Sequence, residues 1–154
     1  MSIEAALAEI ESRVGQVTTS DWLTIDQAQI NAFASATHDH QWIHVDPQRA
    51  LAESPFKTPI AHGFLTLSLV PCLRGLVDAD KPLFPGVKNV INYGLNKVRF
   101  PAPVPVDARL RGHFTLSSVS RKRDALELVE VYSAEVEGQE KPACVAETIM
   151  RLYF

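Results

Sequence analysis

The sequence predicts an α+β fold, in which an antiparallel sheet packs around one buried helix. Helical spacing of apolar residues dominates the first half of the chain, and strand-like alternation dominates the second half. One segment, residues 62–77, is apolar almost all round, which is typical of a helix that is buried on every side. The chain has 154 residues, 46% of them hydrophobic, so we expect a single domain over residues 1–154.

The apolar spacing predicts four helices, over residues 1–15 (an N-terminal extension), 25–37, 46–53 and 62–77. The third helix begins at a favourable pair, because Asp46 suits the N-cap position and Pro47 suits the first turn. The polar residues 38–45 before it are expected to be irregular. Pro71 should bend the fourth helix, since proline lacks a backbone N–H and clashes with the preceding turn.

Four strands are predicted in the second half, over residues 88–100, 106–116, 125–137 and 143–153, with a short extended segment at 21–25 before them. Residues 106–116 alternate between apolar and polar side chains, as a half-buried antiparallel strand does. The stretch "EGQEKP" is predicted to be the turn between the last two strands. A strongly bent antiparallel sheet wrapped around the apolar helix, the architecture called a hotdog fold, satisfies this order of elements.

Charge and composition exclude several classes of protein. The formal net charge is −3 and the basic residues are scattered, so nothing supports binding to nucleic acid or to a membrane surface. No apolar run approaches the roughly 20 residues of a membrane span. The N-terminus lacks the basic-then-apolar order of a signal peptide, and we therefore expect a cytoplasmic protein. Cys72 and Cys144 lie in apolar contexts and are predicted to be buried thiols.

The segment "ATHDHQWIHVD", residues 36–46, concentrates three of the five histidines and two aspartates. Its polar side chains could finish a helix and face solvent, bind a metal ion, or supply an acid/base pair. A metal site would draw on His38, His40 and His44, with Asp46 or His62 as a further ligand. The chain lacks the HExxH spacing and has no cysteine near the segment, so we predict no metal.

The acid/base interpretation uses Asp39 and His44, which a turn could bring to either side of one water molecule. Histidine titrates near neutral pH, so a neutral imidazole beside a carboxylate is a working pair. Gly63 opens the apolar helix, and its backbone N–H has no intrahelical acceptor and can bind a developing oxyanion. The missing Cβ of Gly63 is expected to let a carbonyl group approach closely.

The stretches "DHQWIHVDPQRA" and "TPIAHGFLTLSL" resemble two motifs of the MaoC-like, (R)-specific enoyl-CoA hydratase family. The family motifs read roughly D-x-N-P-x-H-x-D and P-I-x-H-G-x-L, and "RFPAPVPVDARL" resembles a third, F-x-x-P-V-x-V. The matching residues of the first two are Asp39, His44, Asp46, Pro59, Ile60, His62, Gly63 and Leu65. The likeness runs from about residue 20 to the end. Within the family, the chain resembles the small bacterial single-domain branch, some members of which carry a nodulation-protein-N-like label.

The resemblance implies a hotdog homodimer that adds water across the trans-2 double bond of an acyl-CoA to give the (R)-3-hydroxyacyl product. Asp39 and His44 would activate the water and deliver a proton to C2, and the Gly63 amide would bind the thioester oxygen. The acyl-CoA is the substrate, and no metal or redox cofactor is implied.

This chain departs from the family motif at Gln41 and Trp42, where Asn and Pro are usual. Gln41 is expected to replace the Asn contact that fixes the loop, while Trp42 packs either as a lid or as core. His62 either hydrogen-bonds the loop or only satisfies a backbone carbonyl. Two other functions stay open: a hotdog acyl-CoA thioesterase, and a non-catalytic protein that binds acyl-CoA or signals with it.

Overall fold

Antiparallel strands form one six-stranded sheet in the computed structural model, which describes residues 2–154. The strands are β1 (Val17–Thr19), β2 (Leu23–Ile25), β3 (Asn89–Arg99), β4 (Ala108–Arg121), β5 (Ala125–Val136) and β6 (Cys144–Tyr153). Along the sheet the order is β1-β4-β5-β6-β3, and β2 also pairs with β4. The four long strands and the extended segment at 21–25 were predicted. The short β1 was not, because all three of its residues are exposed and therefore carry no alternation of burial.

Helices precede and connect these strands. They are α1 (Ile3–Glu11), α2 (Gln27–Thr37), α3 (Trp42–Val45), α4 (Pro47–Glu53), α5 (Gly63–Ser68) and α6 (Val70–Leu73). Asp46 caps α4 as predicted, with its carboxylate accepting the Arg49 amide at 3.0 Å. The prediction that 38–45 is irregular is wrong for its second half, where α3 forms one helical turn. No helix among residues 2–154 is long and apolar enough to cross a bilayer.

The predicted apolar helix at 62–77 is divided into α5 and α6, which are separated by Leu69. The cause is Pro71, whose ring cannot donate to the carbonyl four residues earlier. Burial on every side was wrong, because Phe64, Ser68 and Cys72 form an exposed stripe at intervals of four residues. The prediction that both cysteines are buried is therefore wrong for Cys72.

The other sides of α5 and α6 rest on the sheet. Their contact with β4, β5 and β6 forms the main core, which includes Leu65, Leu69, Val70, Leu73, Phe114, Tyr132, Ala134 and Cys144. The Tyr132 hydroxyl donates to the backbone oxygen of Thr66 at 3.2 Å and so ties α5 to the middle of the sheet. Burial in this core raises the pKa of the Cys144 thiol to about 11, which keeps it protonated and unreactive.

One ion pair lies inside the fold, at the end of α6. Arg74 donates to both carboxylate oxygens of Glu130 on β5, with the shortest distance, 2.7 Å, between Nη2 and Oε1. The Glu130 side chain is fully buried and that of Arg74 is 10% exposed. The pair thus joins the C-terminal end of the α5–α6 segment to the sheet.

The extended segment before α5 is joined to the chain that enters β4. The Ala61 amide donates to Val104 at 2.8 Å, and the Val106 amide donates to Pro59 at 2.9 Å. A further backbone bond, from Ile60 to Ile43 at 3.1 Å, links the same segment to α3. Residues 59–61 therefore hold α3 and the start of α5 next to each other.

Candidate active site

The site loop, residues 38–46, begins where α2 ends. His38 caps α2 with a positive φ of 62°, a left-handed conformation that turns the chain sharply. Asp39 follows with its side chain 53% exposed, and its Oδ1 accepts the Gln41 amide at 3.4 Å. The turn therefore leaves the Asp39 carboxylate accessible to a ligand.

His44 lies in α3 and is buried. Its Nδ1–H donates to the backbone oxygen of Ile60 at 2.7 Å, which fixes the tautomer and leaves the Nε2 lone pair free. Gln27 holds the same turn, since its Nε2 donates to the His44 backbone oxygen at 2.8 Å. Burial lowers the pKa of His44 below its usual 6.5, although the Ile60 bond acts in the opposite direction. His44 is therefore a neutral base near pH 7.

His62 is the N-cap residue of α5 and is 4% exposed. Its Nε2–H donates to the backbone oxygen of Asp39 at 2.9 Å. Its ring stacks on that of His44, with 3.8 Å between centroids and 26° between planes. Phe33 from α2 contacts the His62 ring at a centroid distance of 5.0 Å. These contacts join Asp39, His44 and the start of α5 into one unit.

The structure brings together the two residues of the predicted acid/base pair. A carboxylate oxygen of Asp39 and one ring nitrogen each of His44 and His62 lie within 4.8 Å of one another. A water molecule with two hydrogen bonds of about 2.8 Å at a tetrahedral angle spans about 4.6 Å. This upper limit on the Asp39–His44 separation is compatible with one bridging water.

The same cluster is the one place in residues 2–154 where three metal-binding side chains meet. Two imidazoles bind one zinc ion when their lone pairs converge at about 2.0 Å from it. The stacked rings of His44 and His62 are only 26° from parallel, so their in-plane lone pairs do not converge. His38 and His40, which the metal interpretation required, are exposed and outside the cluster. The absence of a metal cofactor stays a prediction.

Gly63 begins α5, so its backbone N–H lacks an intrahelical acceptor as predicted. The expectation that the missing Cβ lets a carbonyl group approach closely stays a prediction. A Cβ at this position would stand 3.1 Å from the ring of Phe100, so packing against that ring also favours a glycine here. A cavity of about 360 Å³ borders Gly63 and is lined further by Phe56, Ile60, Thr66, Phe100 and Pro103.

The two residues that depart from the family motif have different surroundings. Gln41 is exposed, and its backbone amide, not its side chain, makes the bond to Asp39. Trp42 is half-buried, with the guanidinium of Arg49 lying 4.5 Å from the ring centroid. Trp42 thus packs beneath a surface side chain from α4.

Several groups that shape the site were given no such role in the sequence analysis. The Ile60 carbonyl orients His44, Phe33 covers His62, and Gln27 holds the turn of α3. A backbone acceptor has no residue type of its own, so the motif match at Ile60 did not indicate its hydrogen bond to His44. For Phe33 the sequence indicated only a place on the apolar face of α2, not a contact with the site.

Comparison with known proteins yields consistent relatives. The MaoC like domain model matches residues 9–139. The 3-hydroxyacyl-thioester dehydratase Z of Mycobacterium tuberculosis (strain ATCC 25618 / H37Rv) is 52% identical over 148 residues, covering 95% of either chain. Nodulation protein N of Rhizobium meliloti (strain 1021) is 48% identical, covering 95% of this chain and 90% of that protein.

Among solved structures, the (R)-hydratase from A. caviae involved in PHA biosynthesis superimposes with a TM-score of 0.71. It is 26% identical, and the match covers 90% of this chain and 96% of the hydratase. The likeness confirms the predicted hotdog fold. The chain belongs to the MaoC-like domain family and is an enzyme of its hydratase and dehydratase class.

Proposed function

We propose that this enzyme hydrates trans-2-enoyl-CoA to (R)-3-hydroxyacyl-CoA and catalyses the reverse dehydration. The observation that carries the proposal is the approach of an Asp39 carboxylate oxygen and a His44 ring nitrogen to within 4.8 Å, together with the unpartnered Nε2 of His44. The names of two relatives, a 3-hydroxyacyl-thioester dehydratase and an (R)-hydratase, support the same reaction class.

In the hydration direction, Asp39 and His44 bind one water between them. The water oxygen bonds to C3 of the enoyl thioester while its proton passes to the pair, and the pair returns a proton to C2. The two groups act as one coupled acid/base unit, so the proton belongs to the pair and not to either residue alone. Dehydration follows the same steps backwards, and no redox cofactor takes part in either direction.

Negative charge develops on the thioester oxygen as water adds. We assign its stabilisation to the N–H of Gly63, which has no intrahelical acceptor and follows His62 directly. Gln41 is exposed two residues after Asp39, and we propose that its amide contacts the substrate thioester. His62 is buried and contacts both members of the pair.

An apolar groove lies where the acyl chain is expected. It has a volume of about 430 Å³ and is lined by Leu67, Val70, Pro71, Gly94, Thr148 and Ile149. Leu67 lies four residues after Gly63, or about 6 Å along the helix axis. A thioester held at Gly63 could therefore direct its acyl chain along α5 into the groove.

We also propose that two copies of the chain form a homodimer through β3. This strand has 11 residues and ends the sheet, so one side of its backbone is unpaired. Its side chains Ile91, Tyr93 and Leu95 are each about half exposed. A long apolar edge strand of this kind tends to pair with a strand of another chain, which supports an interface here.

Light scattering should give the mass of a dimer for the wild type and of a monomer for Leu95→Lys. A monomeric wild type would refute this arrangement.

The proposed reaction is tested with trans-2-enoyl-CoAs from short to medium chain length. Loss of the enoyl-thioester absorbance should accompany formation of the 3-hydroxyacyl product, and chiral analysis should give the (R) isomer. A thiol-reactive dye in parallel reports any free CoA, which a thioesterase would release. Binding without turnover at every chain length, an (S) product, or thiol release without hydration would each contradict the proposal.

A further inference from the structure

We propose that His62 is a positioning residue that holds Asp39 and His44 at their working separation. The inference rests on the proposed function, because it names what keeps that acid/base pair in place. His62 does not touch the substrate in this scheme, since its side chain is 4% exposed and is in contact with the two residues themselves.

The first contact fixes Asp39. Asp39 follows a left-handed residue at the end of α2, and more than half of its side chain is exposed, so local burial constrains it little. The 2.9 Å bond from His62 Nε2–H to the Asp39 backbone oxygen ties this turn to the first residue of the rigid α5 segment. His62 Nε2 also lies 3.9 Å from Asp39 Oδ2, so the carboxylate stands directly beside the same ring edge.

The second contact fixes His44. Its Nδ1 bond to Ile60 sets one point of the ring but leaves rotation about that bond. The stacked ring of His62, 3.8 Å away, limits that rotation on one face. Phe33 in turn contacts His62 and prevents it from moving away. The direction of the Nε2 lone pair of His44 is thereby set by a neighbouring ring as well as by a hydrogen bond.

The tautomer of His62 follows from the same bond. A backbone oxygen only accepts, so Nε2 must carry the proton and Nδ1 a lone pair. This Nδ1 is buried and has no hydrogen-bond partner among residues 2–154. A polar atom left unpaired in the interior is costly, which indicates that His62 is present for the Asp39 bond and the stack and not for generic core filling.

Two substitutions separate the two contacts. His62→Phe keeps a ring against His44 and removes the donor to Asp39, whereas His62→Gln keeps an N–H donor at a similar reach and removes the stack. For His62→Phe we expect kcat to fall about 10- to 100-fold with KM nearly unchanged, because a misplacement of about 1 Å can cost that much. His62→Gln should recover most of the lost kcat, and His113→Gln, on β4, should match the wild type.

Nitrogen-15 NMR of the labelled histidines supplies a second measurement that needs no turnover. The wild type should show His62 protonated at Nε2 and His44 protonated at Nδ1. A His62 protonated at Nδ1 overturns the proposal even if the protein has no hydratase activity. In an active enzyme that Asp39→Asn abolishes, an unchanged kcat for His62→Phe also overturns it. A wild type that is inactive on every enoyl-CoA but has the expected tautomers refutes the proposed function and leaves the positioning contacts supported.

Discussion

His44 and His113 each lie close to a carboxylate, the first in the site loop and the second on β4. Both ring nitrogens of His113 are occupied, because Nε2 lies 2.6 Å from Glu135 and Nδ1 lies 2.9 Å from the Thr19 hydroxyl. Arg111 also binds Glu135, and this guanidinium first, then His113, lowers the pKa of that carboxyl. His44 instead keeps Nε2 free, and one of its ring nitrogens lies within 4.8 Å of an Asp39 carboxylate oxygen. A histidine near a carboxylate thus indicates chemistry only when a lone pair is left for a third molecule.

The strongest test of this difference between the two histidine–carboxylate pairs is a matched set of four substitutions. Asp39→Asn and His44→Gln should each lower the rate of enoyl-CoA hydration by about 10²- to 10⁴-fold, the range contributed by positioned acid/base groups. Glu135→Gln and His113→Gln carry the same chemical changes at the other pair and should leave the rate unchanged. Steady-state kinetics on all four proteins decides this. Full turnover by Asp39→Asn or His44→Gln would show that the assignment of the pair is wrong.

The Arg74–Glu130 pair extends the comparison to a carboxylate that is fully buried. Arg74→Met would leave the Glu130 carboxylate buried without its partner, and we expect a loss of about 3–5 kcal/mol in the free energy of unfolding. The double variant Arg74→Met, Glu130→Leu should regain much of this loss, because two apolar side chains leave no buried charge that needs a partner. Urea denaturation measures both. A double variant no more stable than Arg74→Met alone would contradict this account.

The two histidine–carboxylate pairs should also respond to acid in different pH ranges. Burial lowers the pKa of His44, so the unfolded chain takes up a proton near pH 6.5 while the folded chain does not. The contribution of His44 to stability is therefore lost as pH falls below about 6.5 and levels off below the folded pKa. The Glu135 pKa is lowered from 4.5, so its contribution is present above that value and is lost at more acidic pH.

Urea denaturation of the wild type, His44→Gln and Glu135→Gln at several pH values separates the two ranges. The difference in the free energy of unfolding between the wild type and His44→Gln should change as the pH falls below 6.5, and that between the wild type and Glu135→Gln only below about 4.5. The pH profile of kcat/KM should likewise remain flat down to below 6.5, since His44 stays neutral there. An acid limb above pH 7 would mean that burial does not lower the His44 pKa.

Periodicity was sufficient for the regular parts of the molecule. Alternation located β4, and Asp46 with Pro47 located the start of α4. Residue type and spacing already indicated Asp39 and His44 as a candidate pair, but they left the solvent-facing and metal-binding interpretations open. The motif resemblance selected the acid/base interpretation. What could not be predicted are effects of tertiary contact: the single turn of α3, the exposed stripe on α5 and α6, and the Phe100 ring against Gly63.

The position of Ile60 has a consequence for how the chain tolerates mutation. The groups that fix the two imidazole tautomers are the backbone oxygens of Ile60 and Asp39, and every amino acid supplies such an oxygen. A scan that replaces side chains one at a time would therefore find that residue 60 tolerates other apolar residues, although its backbone oxygen orients the proposed base, His44. Only a change to the chain itself, such as an ester bond in place of the peptide bond or an inserted residue between 59 and 61, would expose this dependence.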